Sequence, residues 1–171
     1  MVLFLLLACT GDGPFGSDSD GGACGASPAS VEVGGGAMAF EPAADGDAVT
    51  MVHGPQGGWH VLASVRLDDV DPIVSLHYTI AVQPEGTVVS DNAYRVQILE
   101  DTPCGGYYPG MYGYLLVDAL AEGELDTPPE LLAGRELLLR IDIEDEAGRT
   151  ASDTLTAIAA LDPIDADTGA P

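Results

Sequence analysis

Three stretches of the chain alternate apolar and polar residues with a period of two. Over 59–67, Trp59, Val61, Ala63, Val65 and Leu67 fall on one face, and His60, Leu62, Ser64 and Arg66 on the other. Over 74–82, Val74, Leu76, Tyr78, Ile80 and Val82 face one way, and Ser75, His77 and Thr79 the other. Over 137–145, Leu137, Leu139, Ile141 and Ile143 alternate with Leu138, Arg140, Asp142 and Glu144. Side chains of a strand point to opposite faces in turn, so this period marks half-buried strands. Weaker strand patterns occur at 31–33, 48–52, 93–99, 112–117 and 152–160. Turn residues separate them: Asp45-Gly46, Pro84-Glu85-Gly86, Cys104-Gly105-Gly106 and Ala147-Gly148. One helical turn is predicted at 127–134, where Thr127 caps, Pro128 suits the first position, Glu130 completes a capping box and Gly134 ends it. Short strands divided by turns predict an all-β, antiparallel sandwich of about seven to nine strands over 31–161.

The stretch His53-Gly54-Pro55-Gln56-Gly57-Gly58-Trp59-His60 reads as a turn between two of these strands. Glycines supply the positive φ of a tight turn, and Pro55 sets one φ. Trp59, the one tryptophan of the chain, opens the apolar face of its strand. It is expected to lie buried between the two sheets, with His53 and His60 at least partly exposed.

The chain ends are of different character. Residues 1–8 are a short apolar run followed by Cys9. The run is far below the ~20 apolar residues of a membrane span and matches a signal-peptide core. Leu6-Leu7-Ala8-Cys9 resembles the lipobox of bacterial lipoproteins, although no Lys or Arg precedes the run. The resemblance implies that residues 1–8 are removed and that Cys9 is lipidated. Thr10 in place of aspartate then favours the outer membrane over retention at the inner one. Residues 9–30 are rich in Gly, Asp, Ser and Pro, a composition that buries little apolar surface and predicts a disordered spacer. The polar tail 162–171 is expected to be disordered as well.

The stretch 134–149 ends in Asp145-Glu146-Ala147-Gly148-Arg149. It resembles the penultimate strand, Asp-x-x-Gly-Arg turn and last strand of bacterial immunoglobulin-like domains. With the lipobox and the Gly-Pro-Gln-Gly-Gly-Trp-His turn, the chain resembles bacterial lipoproteins carrying an immunoglobulin-like domain. That implies an immunoglobulin-like sandwich in the cell envelope of a Gram-negative bacterium. The resemblance brings no known activity with it.

Charge narrows the partners. The 171 residues carry 28 acidic side chains and 5 basic ones, all arginine, for a net charge of -23. Phosphate binding rests on cationic contacts, so nucleic acid is excluded as a partner, and anionic lipid headgroups with it. Lipidation of Cys9 would leave Cys24 and Cys104 as an even pair in an oxidising compartment, where a disulfide is expected.

Residues that could carry chemistry are few. Tyr107, Tyr108, Tyr112 and Tyr114 crowd one Gly-rich stretch and could contact a protein or glycan partner, or else pack inward at a strand edge. His53, His60 and His77 are the three histidines; imidazoles suit zinc or copper, but no ligand spacing supports a site, and no metal or cofactor is expected. His77 would face His60 if their strands paired. Asp45, Asp47, Asp68, Asp69, Asp71, Asp142, Glu144 and Asp145 mark strand ends and read as solvated turn acids, with calcium binding the alternative. The sequence contains no nucleophile elbow, zinc-protease helix or phosphate loop. The expected function is therefore a non-enzymatic, membrane-tethered lipoprotein with a structural, adhesive or protein-interaction role. A ligand- or metal-binding lipoprotein using 107–114 or the histidines is the alternative, and a hydrolase a distant third.

Overall fold

The computed structural model describes residues 24–54, 57–120 and 127–163. The expected signal peptide, Cys9, most of the expected spacer, Pro55, Gln56 and most of the tail lie outside the described residues. Among the described residues, the protein is all-β apart from one short helix. Its strands are β1 (Ser30–Gly35), β2 (Glu41–Pro42), β3 (Ala48–His53), β4 (Trp59–Asp68), β5 (Ile73–Val82), β6 (Thr87–Gln97), β7 (Leu99–Thr102), β8 (Gly105–Tyr114), β9 (Glu136–Asp145) and β10 (Thr150–Leu161). The helix, α1, spans Pro128–Leu132. Glu130 Oε2 accepts the Thr127 amide at 2.8 Å, and Gly134 follows at φ 76°, as the capping pattern predicts.

The strands form one curled mixed sheet in the order β2-β1-β4-β3-β10-β9-β5-β6, with β8 on the other edge of β4 and β7 on β8. The pairing is antiparallel except at one place. Residues 48–51 of β3 run parallel to residues 158–161 of β10. The expectation of a purely antiparallel arrangement is corrected there. β3 can hold both neighbours because it pairs with β4 over Met51, Val52 and His53 and with β10 from Ala48 to Met51. The two shortest strands, β2 and β7, had no periodicity to reveal them; two and four residues are too few to show one.

The alternation read from the sequence holds at the core. Val61, Ala63, Val65 and Leu67 of β4, Val74, Leu76, Tyr78, Ile80 and Val82 of β5, and Leu137, Leu139, Ile141 and Ile143 of β9 are all buried. The sheet curls so that β8 lies on β5. A Cβ at Gly113 would fall 2.6 Å from Ile80 Cδ1 and 2.8 Å from Tyr78 Cε1, so only glycine leaves room for the Tyr78 ring. Tyr78 is fully buried, and its hydroxyl has no hydrogen-bond partner among the described residues. Burial raises its pKa far above the ordinary phenol value.

The strand register defines two poles. β4 runs from Trp59 to Asp68, and β8 returns alongside it with Gly105 opposite Asp68 and Tyr114 opposite His60. The Asp68 end is called the near pole below, and the Trp59 end the far pole.

Candidate functional site

At the near pole, two carboxylates from different segments, Asp71 and Asp145, converge on one arginine of the same chain. The Asp145 side chain is wholly buried. Its Oδ1 accepts the amides of Ala147 at 3.0 Å and Arg149 at 2.9 Å; its Oδ2 accepts the Asp71 amide at 3.1 Å and Arg149 Nε at 2.7 Å. The other arm of that guanidinium lies 2.8 Å from Asp71 Oδ1. Burial alone would raise the Asp145 pKa, but the Arg149 and Asp71 amides and the Arg149 guanidinium outweigh it and hold the carboxyl below the ordinary value. The Asp-x-x-Gly-Arg motif is thus a clamp that fixes the β9–β10 turn to the segment entering β5. Asp71 and Asp145 are joined by Arg149, and the Asp145 side chain is enclosed where the sequence pattern read a solvated turn acid. Asp45 and Asp47 serve turns instead: they accept the amides of Thr156 and Ala44, each at 2.8 Å.

The N-terminal segment reaches the same pole. Cys24 and Cys104 are joined by a disulfide, with their Cα atoms 5.2 Å apart. The Gly25 amide approaches Asp69 Oδ1 at 3.4 Å, and Gly25 packs so closely on the Arg149 guanidinium that a side chain there would collide with it. The point where the spacer meets the folded part is therefore held against β8 and the clamp.

The tyrosines of β8 divide: Tyr107 and Tyr108 stand opposite Arg66 and Val65, toward the near pole, and Tyr112 and Tyr114 stand toward the far pole. Tyr107 and Tyr108 are half-buried, and Tyr108 packs on the core. Tyr112 and Tyr114 point outward and are 44% and 54% exposed, alternating with buried Met111, Gly113 and Leu115. Their rings stack with centroids 5.8 Å apart and planes 14° apart. His60, cross-strand on β4, lies 4.7 Å from the Tyr112 ring and 6.2 Å from the Tyr114 ring. The Tyr94 hydroxyl, from β6, donates to the Tyr112 carbonyl. Burial pushes the Tyr94 pKa up, and the neighbouring Tyr114 adds to it. Leu116 continues the outward row at 69% exposed, and its amide donates to Val89 O at 2.7 Å. The sequence pattern had pointed to 107–114 but not to Leu116, Tyr94 or His60 as parts of one surface. The outward parity of 112, 114 and 116 was the available signal.

Two expectations about the turn are corrected. Trp59 is half-buried, not enclosed between layers, because it is the first residue of β4 and stands at the rim. It packs on the exposed His53, with ring centroids 4.9 Å apart. His60 is buried, at 6% exposed, because Tyr112 and Tyr114 lie across it. Burial draws its pKa below the ordinary imidazole value. His77 does not face His60: the chain crosses between β4 and β5, and the neighbours of β5 are β6 and β9. His77 Nε2 pairs instead with Asp91 Oδ1 at 2.7 Å, both side chains exposed, and His77 lines an open depression of about 850 Å³ over β5, β6, β9 and β10. Asp142, opposite His77, is held below the ordinary carboxylate range by its two hydrogen bonds from Arg140, at 2.8 and 2.6 Å. Among the described residues, no three His, Cys, Asp or Glu side chains converge to hold a metal.

No family model matches this chain, and no curated protein does. Among solved structures it is similar to the CooA pilin subunit from enterotoxigenic Escherichia coli, at 13% identity over 78% of this chain and 99% of that one, with a TM-score of 0.36.

Proposed function

We propose that this protein is a lipid-tethered, non-enzymatic interaction module of a bacterial cell envelope, anchored through Cys9 to the outer membrane. The observation that carries the reading is the exposed, stacked pair Tyr112–Tyr114, at the pole opposite the Cys24–Cys104 bridge. A chain tethered upstream of Cys24 would present this pair outward. Aromatic rings held on a strand offer contact area at low entropic cost, which is what recognition surfaces use. An immunoglobulin-like sandwich is the matching fold reading. It is supported by β8-β4-β3 on one flank, β10-β9-β5-β6 on the other, and a first-flank strand running parallel to the last strand.

Two measurements test this. Cys9→Ser is expected to move the protein from the membrane fraction to the soluble one; a variant that stays membrane-bound with an intact N-terminus would refute the tether. A photo-reactive phenylalanine analogue at Tyr114 is expected to trap partners in cells, whereas the same group at Ser152, on the other flank, is not. Equal trapping at both positions, or none at 114, would refute the interaction surface.

A further inference from the structure

We propose that the stripe Tyr112, Tyr114 and Leu116 docks a basic polypeptide segment, whose arginine or lysine side chains lie over the tyrosine rings. This rests on the interaction reading above and names its partner class.

The stripe is preorganised. Its members alternate with buried residues of the same stretch, so the backbone beneath is fixed. Tyr112 rests against buried His60, its carbonyl is held by the Tyr94 hydroxyl, and Tyr114 stacks on Tyr112. Docking would therefore freeze few additional rotors, and rotor loss is a main cost of binding.

The charge around the stripe selects the occupant. All five arginines are already ion-paired to carboxylates of the same chain, at 2.6 to 3.4 Å, and the chain has no lysine. The unpaired excess is therefore negative. The stripe leads directly into Asp118, whose carboxylate is exposed. A second copy of this chain brings the same -23 and is repelled. An anionic surface is repelled likewise. A neutral glycan gains nothing from the field. A guanidinium or ammonium group gains twice, from the chain's unpaired negative excess and from the negative faces of the rings.

The test uses the full-length protein in detergent at physiological ionic strength. The probe is an arginine-glycine-serine peptide, compared with its citrulline counterpart, which keeps the shape and loses the charge. The arginine peptide is expected to bind and the citrulline peptide to bind at least about tenfold more weakly. Tyr112→Leu/Tyr114→Leu keeps an apolar surface and should weaken arginine-peptide binding about tenfold, whereas Tyr112→Phe/Tyr114→Phe should stay within about twofold. Unchanged melting temperatures confirm that both doubles fold. Equal affinity for the native and leucine proteins would mean diffuse charge attraction and overturn the proposal. So would absence of arginine-peptide binding, or equal binding of the citrulline peptide or a neutral oligosaccharide at the stripe. In each of those cases, continued photo-trapping at position 114 would leave the interaction reading standing, and its loss would remove both.

Discussion

At the near pole Asp145, Arg149 and Asp71 hold one another, and the bond between Cys24 and Cys104 ties the N-terminal segment to the same place. At the far pole Tyr112 and Tyr114 hold one another too, but they leave their outer faces in solvent. The difference lies in what each kind of group needs. A buried carboxylate is tolerated only when its lone pairs are matched, so Asp145 draws in amides and a guanidinium until it is enclosed. Loops that no strand pairing would fix become fixed as a consequence. A tyrosine needs no such matching. It can sit on a strand, stack on its neighbour and stay available. In the function proposed above, the enclosed pole would serve anchoring and the open pole contact.

The difference between the two poles depends most on Asp145. Asp145→Ala leaves Arg149 Nε and the amides of Asp71, Ala147 and Arg149 without their acceptor, and is expected to cost about 3–5 kcal/mol of unfolding free energy in denaturant titration. The acid response carries the same signature. The folded-state pKa of Asp145 lies below the unfolded value, near 3.8, so its contribution is complete above that pH and is lost as pH falls through the folded value. Melting curves taken downward from pH 4 should therefore show a loss for the native chain that Asp145→Asn lacks.

Removing the bridge tests the same pole from the other side. Cys24→Ser/Cys104→Ser opens a link between residues 80 apart in sequence and should lower stability by about 2–4 kcal/mol in the chain-entropy model. If the clamp alone fixes the N-terminal segment, proteolysis near Gly25 will not change in the double variant. Faster cleavage there shows that the bridge is needed as well.

The smallest of the three effects is expected at the far pole. Trp59→Ala removes a half-buried ring from the rim, and should cost about 1–2 kcal/mol by thermal melting, below the roughly 3–5 of a fully enclosed aromatic. A loss as large as that of Asp145→Ala would mean that the rim is part of the core, and the contrast between the poles would fail.

Features that depend on neighbours along the chain were legible before any tertiary contact was known. The period of two assigned Val61 to Leu67, Val74 to Val82 and Leu137 to Ile143 to the core, because a strand's geometry alternates its faces whatever it packs against. Thr127, Pro128, Glu130 and Gly134 set out the helix because capping is completed within one turn. The parallel pairing of β3 with β10 could not be read, since it joins segments more than a hundred residues apart and shows no local pattern. The fates of Trp59 and His60 were beyond it for the same reason. Periodicity says which face a residue shares, but only the arrival of β8, with Tyr112 and Tyr114 across His60, decided which positions are covered. The Asp-x-x-Gly-Arg turn was visible as a motif. That its aspartate is buried, and that its arginine reaches Asp71 and the glycine after Cys24, was decided by the meeting of three loops at one pole. Long-range burial and charge matching are properties of that meeting and not of any one segment.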